Sequence, residues 1–379
     1  MIYLDYSATT PINYEVLDTY NRTSKDFFGN PNSLHELGVK AKNLMNSATK
    51  QIAEILNVHG SEITYTSGAT NSNNIALIGI AMSHHKKGKH IITSKLEHPS
   101  IYAICDYLES VGFEISYVKN DNEGLIDFED LKSLIRPDTI LVSICAVNSE
   151  TGVRQPLKMI RQIIKKENPD TVLHSDMTQG IGKVAVNLHD VDLATFTAHK
   201  IYGPKGIGVL YKNNNINIAP IIYGSGKSNM LNPGTPAVPL IVSLSKALRL
   251  ATIDLEKRER FIERLNLKIV DALSKYDGVM INKTKYSIPH ILNISLRNIK
   301  AETFLHALEE YEVYVSSNTA CASGNLSTSV LAIYNDKVRA SSTLRISLSH
   351  LTTTDEVNKF ISYFDEIYRK LSGLINTNK

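Results

Sequence analysis

Cysteine is scarce in this chain, and the three that occur, Cys105, Cys145 and Cys321, lie far apart without a C-x-x-C pair. This pattern excludes a disulfide scaffold and a cysteine zinc cage, and it indicates a reducing compartment. The first residues show no charged leader followed by an apolar stretch, and no apolar run approaches the ~20 residues that span a bilayer. We therefore expect a cytoplasmic protein without membrane contact.

An excess of one charge is also absent, because 41 Lys and Arg residues are balanced by 38 Asp and Glu residues. The two signs are mixed along the chain, so we expect no surface built for nucleic acid or for a membrane. The 379 residues, of which 42% are hydrophobic, are too many for one minimal core. They suit one large domain plus a smaller one.

Strand-like and helix-like segments alternate through most of the chain before Pro239. Short runs at residues 62–66, 89–93 and 171–175 have strand character, and residues 139–147 are almost continuously apolar. Such an apolar run predicts a strand that is buried on both faces of a sheet. The alternation predicts an α/β fold with a mostly parallel sheet and helices on both sides.

The pattern changes after Pro239. Apolar residues recur at helical spacing on both sides of residues 256–260 (EKRER), and this charged run predicts a domain junction. Thr353 and Glu356 form a capping-box pattern that predicts the start of a closing helix. We predict a large domain over residues 15–255 and a smaller α/β domain formed by residues 1–14 and 256–379.

Four predicted strands end in polar or small residues, at the edge where open α/β sheets bind ligands. Residues 66–70 (TSGAT) precede a helix whose first N–H groups favour a phosphate, although a plain tight turn would use the same residues. His98 follows the next strand. Its imidazole could stack on a planar aromatic ligand or cap the next helix.

The other two strand ends carry charge. A buried carboxylate at Asp176 needs a partner, and a protonated pyridine nitrogen of pyridoxal is one, while capping of the next turn is the alternative. Lys200 precedes a Gly/Pro-rich turn and suits a Schiff-base amine whose pKa is lowered by burial. Lys205 is the rival lysine, but its Gly and Pro neighbours predict an exposed turn.

These segments resemble the class V aminotransferase family and, more narrowly, cysteine desulfurases of the NifS/IscS type. The matching segments, which run almost end to end, are residues 3–11 (YLDYSATTP), 29–35 (GNPNSLH), 66–70 (TSGAT), 97–100 (EHPS), 174–179 (HSDMTQ) and 198–206 (AHKIYGPKG). The resemblance implies fold type I of the pyridoxal-phosphate (PLP)-dependent transferases. That fold has a large domain with a mostly parallel seven-stranded sheet and a smaller α/β domain.

The resemblance also implies how pyridoxal 5'-phosphate is held. Lys200 would form the Schiff base, and Thr235 would reach the phosphate of the neighbouring subunit, which implies a homodimer. The other implied contacts are to the phosphate from Ala69, Thr70, Thr197 and His199, to the ring face from His98, to the ring nitrogen from Asp176, and to the phenolic oxygen from Gln179.

Cys321 lies in residues 316–325 (SSNTACASGN), where nothing is bulky, and this composition predicts an exposed mobile loop. An exposed thiolate can act as a nucleophile, although the residues alone leave an incidental loop cysteine open. The segment resembles the S-S-G-S-A-C-x-S loop of the NifS/IscS group, which implies a catalytic cysteine. Cys105, in a predicted helix, and Cys145, in the apolar strand, are expected to be inert.

Arg345 matches the family arginine that clamps the substrate α-carboxylate, a task that suits a bidentate guanidinium, and a surface strand arginine is the alternative. In the implied reaction L-cysteine binds at Lys200, which moves the α-proton. The Cys321 thiolate then takes the sulfur as a persulfide, and L-alanine leaves. His98 would assist with proton transfer. The persulfide would pass to a sulfur-acceptor protein.

Several residues depart from the family pattern. Lys227 stands where glutamine or histidine is usual, and Asn232 stands where arginine is usual. Asn71 replaces a glutamate. Ser149 replaces the second of two asparagines, which leaves Asn148 as the candidate for a contact to a cofactor oxygen. These departures suggest a specialised branch that supplies sulfur for tRNA or cofactor thiolation rather than for iron–sulfur assembly.

Three other functions are weighed. A class V aminotransferase or a selenocysteine lyase would share Lys200 but use Cys321 differently. A non-enzymatic scaffold of the same fold would have lost the cofactor. A nucleotide-binding module is disfavoured because neither G-x-x-x-x-G-K-[ST] nor G-x-G-x-x-G after a strand occurs, and no metal site is expected.

Overall fold

The computed structural model describes residues 1–225, 230–317 and 326–377, the last four of these by backbone alone. Its strands and helices are numbered in chain order. The strands are β1 (Ile2–Tyr3), β2 (Ile63–Thr66), β3 (His90–Ser94), β4 (Glu114–Val118), β5 (Thr139–Ser143), β6 (Val172–Asp176), β7 (Leu193–Thr197), β8 (Gly208–Lys212), β9 (Val279–Ile281), β10 (Ile291–Leu296), β11 (Val313–Tyr314), β12 (Ser316–Ser317) and β13 (Thr343–Ser347). The helices are α1 (Tyr14–Asp26), α2 (Glu36–Leu56), α3 (Ala69–His84), α4 (Pro99–Ser110), α5 (Phe128–Leu134), α6 (Leu157–Glu167), α7 (Val238–Thr252), α8 (Leu255–Leu273), α9 (Ala301–Glu309), α10 (Thr328–Tyr334), α11 (Lys337–Ser341) and α12 (Thr354–Thr377).

The central sheet has seven strands in the order β2-β8-β7-β6-β5-β3-β4. Strands β3 to β7 are parallel to one another, and β8 runs antiparallel to its neighbours β2 and β7. Every residue of β3, β5, β6 and β7 is buried, as expected for strands covered on both faces. The prediction of a mostly parallel seven-stranded sheet is confirmed.

Helices cover both faces of this sheet. Ile91 and Leu141 pack with α3 and α4, while the next residues along the same strands, Ile92 and Val142, pack with α2, α6 and α7. Successive side chains of a strand point to opposite faces, so two cores form from one set of strands. No helix in the described ranges has the length and apolar character needed to cross a membrane.

A third core lies in the C-terminal part of the chain. It joins β10 and β13 to α8 and α12, and the N-terminal residues Ile2 and Leu4 are buried in it. Strand β1 pairs in parallel with β11, which fixes the chain start beside residues more than 300 positions away. The division at residue 255 into two domains stays a prediction.

One local prediction is wrong. The strand expected over residues 139–147 ends at Ser143, because the backbone N–H of Cys145 donates to the Glu97 carboxylate at 2.9 Å rather than to a neighbouring strand. The charged run 256–260 forms the first turns of α8, and its place at a domain junction stays a prediction. Its charges suit an exposed helix face, on which Glu256 and Arg260 lie one turn apart.

Candidate active site

The carboxyl ends of the parallel strands form one edge of the sheet. Thr66 at the end of β2 and Thr197 at the end of β7 both pair with Gly208 at the start of β8. A side chain at Gly208 would begin only 2.7 Å from the backbone of Gly68, so glycine is what allows this close approach. The turn 66–70 is therefore held against β7 and its following loop.

The turn leads directly into α3, which begins at Ala69. Gly68 occupies the N-cap position and supplies no side-chain hydrogen bond, so the first N–H groups of a 16-residue helix are left for another acceptor. Ala69 and Thr70 are the first residues of that helix. The helix start has the N–H groups and the dipole that bind an anion.

Lys200 lies in the turn after β7, on the same edge. Its Nζ donates to the carbonyl oxygens of Ser7 and Ala8, each at 2.6 Å. Burial lowers the pKa of Lys200 to about 8, with a further lowering by Arg345 and opposing contributions from Asp5 and Asp176. A much larger fraction of this amine than of an ordinary lysine is therefore neutral, and nucleophilic, near neutral pH.

Asp176 ends β6 with only 7% of its surface exposed. One carboxylate oxygen accepts from the Thr178 backbone N–H at 2.9 Å, and the other accepts from Asn73 Nδ2 at 3.0 Å. Both donors are neutral, so they solvate the carboxylate without balancing its charge. The predicted turn contact is present, and a cationic partner would still be favourable.

His98 is the N-cap residue of α4, and its Nδ1 accepts from the Ser100 N–H at 3.1 Å. The predicted capping role is therefore present, and it leaves the ring face and Nε2 for other contacts. The side chain has exposed atoms, yet the surrounding protein still lowers the pKa of His98, as do Lys200 and Arg345, while Asp176 raises it. The shared electrostatics of these residues indicate one cluster.

Gln179 lies one short turn beyond Asp176. Its Nε2 donates at 3.0 Å to the Ser7 carbonyl, the same oxygen that Lys200 contacts. Its Oε1 accepts from Lys183 Nζ. The amide is thus oriented with its oxygen toward a buried lysine and its NH2 group toward Lys200.

Thr197 and His199 flank Ala198 at the end of β7. The Thr197 hydroxyl donates to the Ile207 carbonyl at 3.0 Å, and His199 Nδ1 lies 3.1 Å from the Thr9 hydroxyl. Burial, followed by Lys200 and other lysines, lowers the pKa of His199 to about 4. His199 is therefore neutral at pH 7, and its ring carries one N–H donor.

Arg345, in β13, reaches the same cluster from the C-terminal core. Its Nη2 forms an ion pair with Asp5 at 3.0 Å, and its Nη1 donates to the Ser149 carbonyl at 3.0 Å. Its side chain is 12% exposed, unlike a surface strand arginine, and its Nε is buried without a partner in the described residues. A buried, unsatisfied N–H of a guanidinium favours an incoming acceptor.

Asn148 does not face this cluster as a free donor. Its Nδ2 donates to the Leu96 carbonyl and to the Ser329 hydroxyl, and its Oδ1 accepts from Thr151. Both amide hydrogens are already used, and Asn148 ties the loop after β5 to α10. A contact from Asn148 to a cofactor stays a prediction that these hydrogen bonds disfavour.

Cys321 and Lys227 lie outside the described residues. The chain on either side of residues 318–325 is held near the cluster. On one side Ser316, in β12, pairs with Arg345 and accepts a hydrogen bond from its guanidinium at 3.2 Å. On the other side the Ser327 hydroxyl donates to Glu150, one residue beyond Ser149.

Thr235 is exposed and lines a cleft of about 730 Å³. Ser67 and Gly206, from the turns that surround the start of α3, line the same cleft. Asn232, which replaces the usual arginine, donates from Nδ2 to the Tyr65 carbonyl at 2.9 Å. The contact of Thr235 with a neighbouring subunit stays a prediction.

Sequence reasoning missed part of this cluster. The carbonyls of Ser7 and Ala8 hold Lys200, Asp5 pairs with Arg345, and Lys183 orients Gln179. A backbone carbonyl leaves no mark on a sequence. The available signal was the segment YLDYSATTP, which matched the family but was assigned no role.

Comparison with known proteins extends over almost the whole chain. The model of the family described as aminotransferase class-V matches residues 2–360. A curated relative from Lactobacillus delbrueckii subsp. bulgaricus, named NifS/IcsS protein homolog, is 38% identical over 99% of each chain. Cysteine desulfurase IscS of Dictyoglomus turgidum is 37% identical over 98% of this chain and 95% of its own. A solved structure of a NifS-like protein superposes with a TM-score of 0.92 at 36% identity, over 97% of this chain and 99% of that one.

Proposed function

The chain belongs to the aminotransferase class-V family, and from that premise we propose that it is a cysteine desulfurase that converts L-cysteine to L-alanine and keeps the sulfur as a persulfide on Cys321. The observation that carries the proposal is Lys200, an amine with a pKa of about 8 within one electrostatic cluster with Asp176 and Arg345. Measuring alanine formation from L-cysteine by the purified protein tests the proposal.

The residues fit pyridoxal 5'-phosphate. The uncapped start of α3 suits the phosphate, and the buried Asp176 carboxylate, solvated only by neutral donors, suits a protonated ring nitrogen. The Gln179 NH2 group suits the phenolic oxygen, and the Lys200 amine suits the aldehyde. When bound, the cofactor supplies an electron-withdrawing ring that stabilises negative charge at the substrate α-carbon.

The chain's own residues then have separate roles in the reaction. Arg345 binds the α-carboxylate, with its buried Nε as an additional donor, and Lys200 Nζ takes and returns the α-proton. Asp176 keeps the ring nitrogen protonated. The Nε2 of His98 can hold a proton beside these groups, because its Nδ1 already accepts from the start of α4.

The sulfur step requires no external oxidant or reductant. The Cys321 thiolate attacks the substrate sulfur, so a sulfur–sulfur bond forms as the carbon–sulfur bond breaks. The substrate carbon that loses sulfur gains a proton and becomes the methyl group of alanine. Cys321 retains the transferred sulfur. The anchoring of both flanks of residues 318–325 near Arg345 and Ser149 supports this role for Cys321.

Replacing Asp176 with asparagine should lower kcat for alanine formation by about 10- to 100-fold, because one charge-assisted hydrogen bond contributes about 1.5–3 kcal/mol. Asp170→Asn is the matched control, since Asp170 forms only an exposed ion pair with Lys87. Cofactor content is measured for each variant. Equal kcat values for Asp176→Asn and the wild type would contradict the role of Asp176.

The pKa of Lys200 predicts how cofactor uptake depends on pH. Only the neutral amine attacks an aldehyde, so the rate of pyridoxal-phosphate uptake should rise with pH and level off above about 8. The positive charge of Arg345 lowers the pKa of Lys200, so Arg345→Gln should move this midpoint to higher pH. Arg136→Gln, at an exposed ion pair, is the control. A midpoint that stays in place or falls in Arg345→Gln would refute this coupling.

The remaining proposals concern the location, the oligomeric state and the sulfur acceptor of the desulfurase. We infer a cytoplasmic enzyme that acts as a homodimer, with Thr235 contacting the phosphate of the neighbouring subunit, and that delivers its persulfide to an acceptor protein. The acceptor pathway is tRNA or cofactor thiolation, or iron–sulfur assembly, and the departures at Asn232 and Ser149 favour the former. Isolating proteins that receive labelled sulfur from Cys321 identifies the acceptor.

A further inference from the structure

Lys183 is a buried lysine outside the set of residues proposed to contact substrate or cofactor. It is only 7% exposed, in the turn that follows Gln179. Burial lowers the pKa of Lys183 well below its usual value, and the two charged groups that act on it most, Lys200 and Arg345, lower it further. A buried lysine near other basic groups is costly, and no ion pair in the described part of the chain accounts for it.

The hydrogen bond of Lys183 explains its position. Its Nζ donates to Gln179 Oε1. An amide oxygen can only accept, so the contact with this amine places the oxygen end of the amide at Lys183, and the Ser7 carbonyl, which also only accepts, holds the NH2 end. The amide oxygen points to Lys183 and the NH2 group points away from it. Lys183 and Ser7 therefore select the same orientation, and loss of the Lys183 donor would leave the buried amide oxygen without this hydrogen bond.

The orientation of the Gln179 amide affects the active site through the Ser7 carbonyl. Gln179 Nε2 donates to the Ser7 carbonyl at 3.0 Å, and Lys200 Nζ donates to the same oxygen at 2.6 Å. Lys183, Gln179, Ser7 and Lys200 are thus joined by consecutive hydrogen bonds. The NH2 end of Gln179 lies on the Lys200 side, where a donor is required to contact an oxygen of a ligand bound there.

The cavity beside Lys183 does not compete with its hydrogen bond to Gln179. A cavity of about 20 Å³ is lined by Lys183, His290, Arg258 and His350, and His290 Nδ1 is buried without a partner in the described residues. This volume is enough for one water molecule. The cavity side therefore offers Lys183 polar contacts, and none of these groups is a carboxylate that would draw its Nζ away from Gln179.

We propose that Lys183 is a positioning residue that fixes the Gln179 amide so that its NH2 group, and not its oxygen, faces the phenolic oxygen of the bound cofactor. This inference rests on the proposed function, since it concerns the cofactor that the function requires. A donor at the phenolic oxygen stabilises its ionised form. An amide that has lost the Lys183 donor is held less firmly, so it contacts the phenolic oxygen less well and the protonated form is favoured.

The test is a pH titration of the absorbance of the loaded enzyme. Lys183→Met removes the donor at similar volume and should raise the midpoint of the cofactor band by about one pH unit, the effect of one hydrogen bond. The affinity for pyridoxal phosphate, measured by fluorescence titration, should fall by about tenfold. Melting temperatures are recorded to separate a loss of stability from a change at the cofactor.

Lys212→Met is the matched control. Lys212 is half-buried, donates to the Asn213 and Ile216 carbonyls, and pairs with the start of β7, opposite the end that leads to Lys200. Lys212→Met should lose stability while its titration midpoint stays that of the wild type. Should Lys183→Met fail to fold, Lys183→Ala is titrated with and without ethylamine, and the added amine should restore the wild-type midpoint.

The outcomes separate the two proposals. A wild-type protein that takes up no pyridoxal phosphate overturns the proposed function and this inference with it. A wild type that takes it up, beside a Lys183→Met variant with an unchanged midpoint, overturns the inference alone. An alanine variant whose raised midpoint does not respond to ethylamine also overturns it, because a lost donor would then not be the cause.

Discussion

Replacing Lys200 with alanine is expected to abolish alanine formation from L-cysteine, with kcat reduced by more than about 10³-fold. The variant lacks both the amine that attaches the cofactor and the base that moves the α-proton. The purified variant should also lose the absorbance band of the attached cofactor. The measurement combines an absorbance spectrum with a discontinuous assay of alanine.

Lys205 provides the control for this experiment. It lies five residues further along the same Gly/Pro-rich segment, and its side chain is exposed, whereas Lys200 is hydrogen-bonded to Ser7 and Ala8. Lys205→Ala should retain the absorbance band and most of the activity. If Lys205→Ala lost the band and Lys200→Ala kept it, the assignment of Lys200 as the attachment site would be wrong.

Replacing Cys321 with serine should reduce alanine formation by more than about 100-fold while leaving cofactor uptake at the wild-type level. Serine keeps the size of the side chain but lacks a thiolate, which is the nucleophile that attacks the substrate sulfur. The absorbance band should persist, because the groups that fit the cofactor, Lys200, Asp176 and Gln179, are unchanged. Activity and spectrum are compared on the same preparation.

The other two cysteines are the controls. Cys105 is buried in α4 with its pKa raised to about 12, and Cys145 is buried beside Glu97 with its pKa also raised, so neither supplies a thiolate at neutral pH. Cys105→Ala should therefore stay active. Full activity of Cys321→Ser would instead favour an aminotransferase or a lyase that does not use this cysteine. A colourless wild type would favour a non-enzymatic scaffold.

The sequence predicts the sheet and its strand ends because both depend on local patterns. A nearly continuous apolar run marks β5, and the small residues before α3 mark the turn at Gly68. Charged residues at strand ends, Asp176 and Lys200, stand out because burial there has a cost that packing does not explain. These features need no knowledge of distant parts of the chain.

Contacts between distant segments could not be predicted in this way. Arg345 meets Asp5 across 340 positions, and Lys200 meets the carbonyl of Ser7 across 193 positions. Asn148 has the side chain of a ligand-binding residue, but its amide is taken up by Leu96 and Ser329, a fact that only packing determines. Local sequence gives the type of group, and tertiary contacts decide whether the group is available.

Two of the departures from the family pattern, Asn71 and Ser149, have a structural explanation. Asn71 accepts from the Ser67 N–H at 3.3 Å within the turn that begins α3, and Ser149 holds Arg345 through its backbone carbonyl. A backbone contact does not depend on the side chain, so the change at Ser149 preserves the position of Arg345. These departures are compatible with an active enzyme.

The transfer of sulfur to one thiol is tested most directly by peptide mass spectrometry after a single turnover with L-cysteine. The peptide that contains Cys321 should gain the mass of one sulfur atom, in proportion to the alanine released. A reducing agent should remove this added mass. If alanine formed while the added sulfur lay on Cys105 or Cys145, or on no cysteine of the protein, the account would be contradicted.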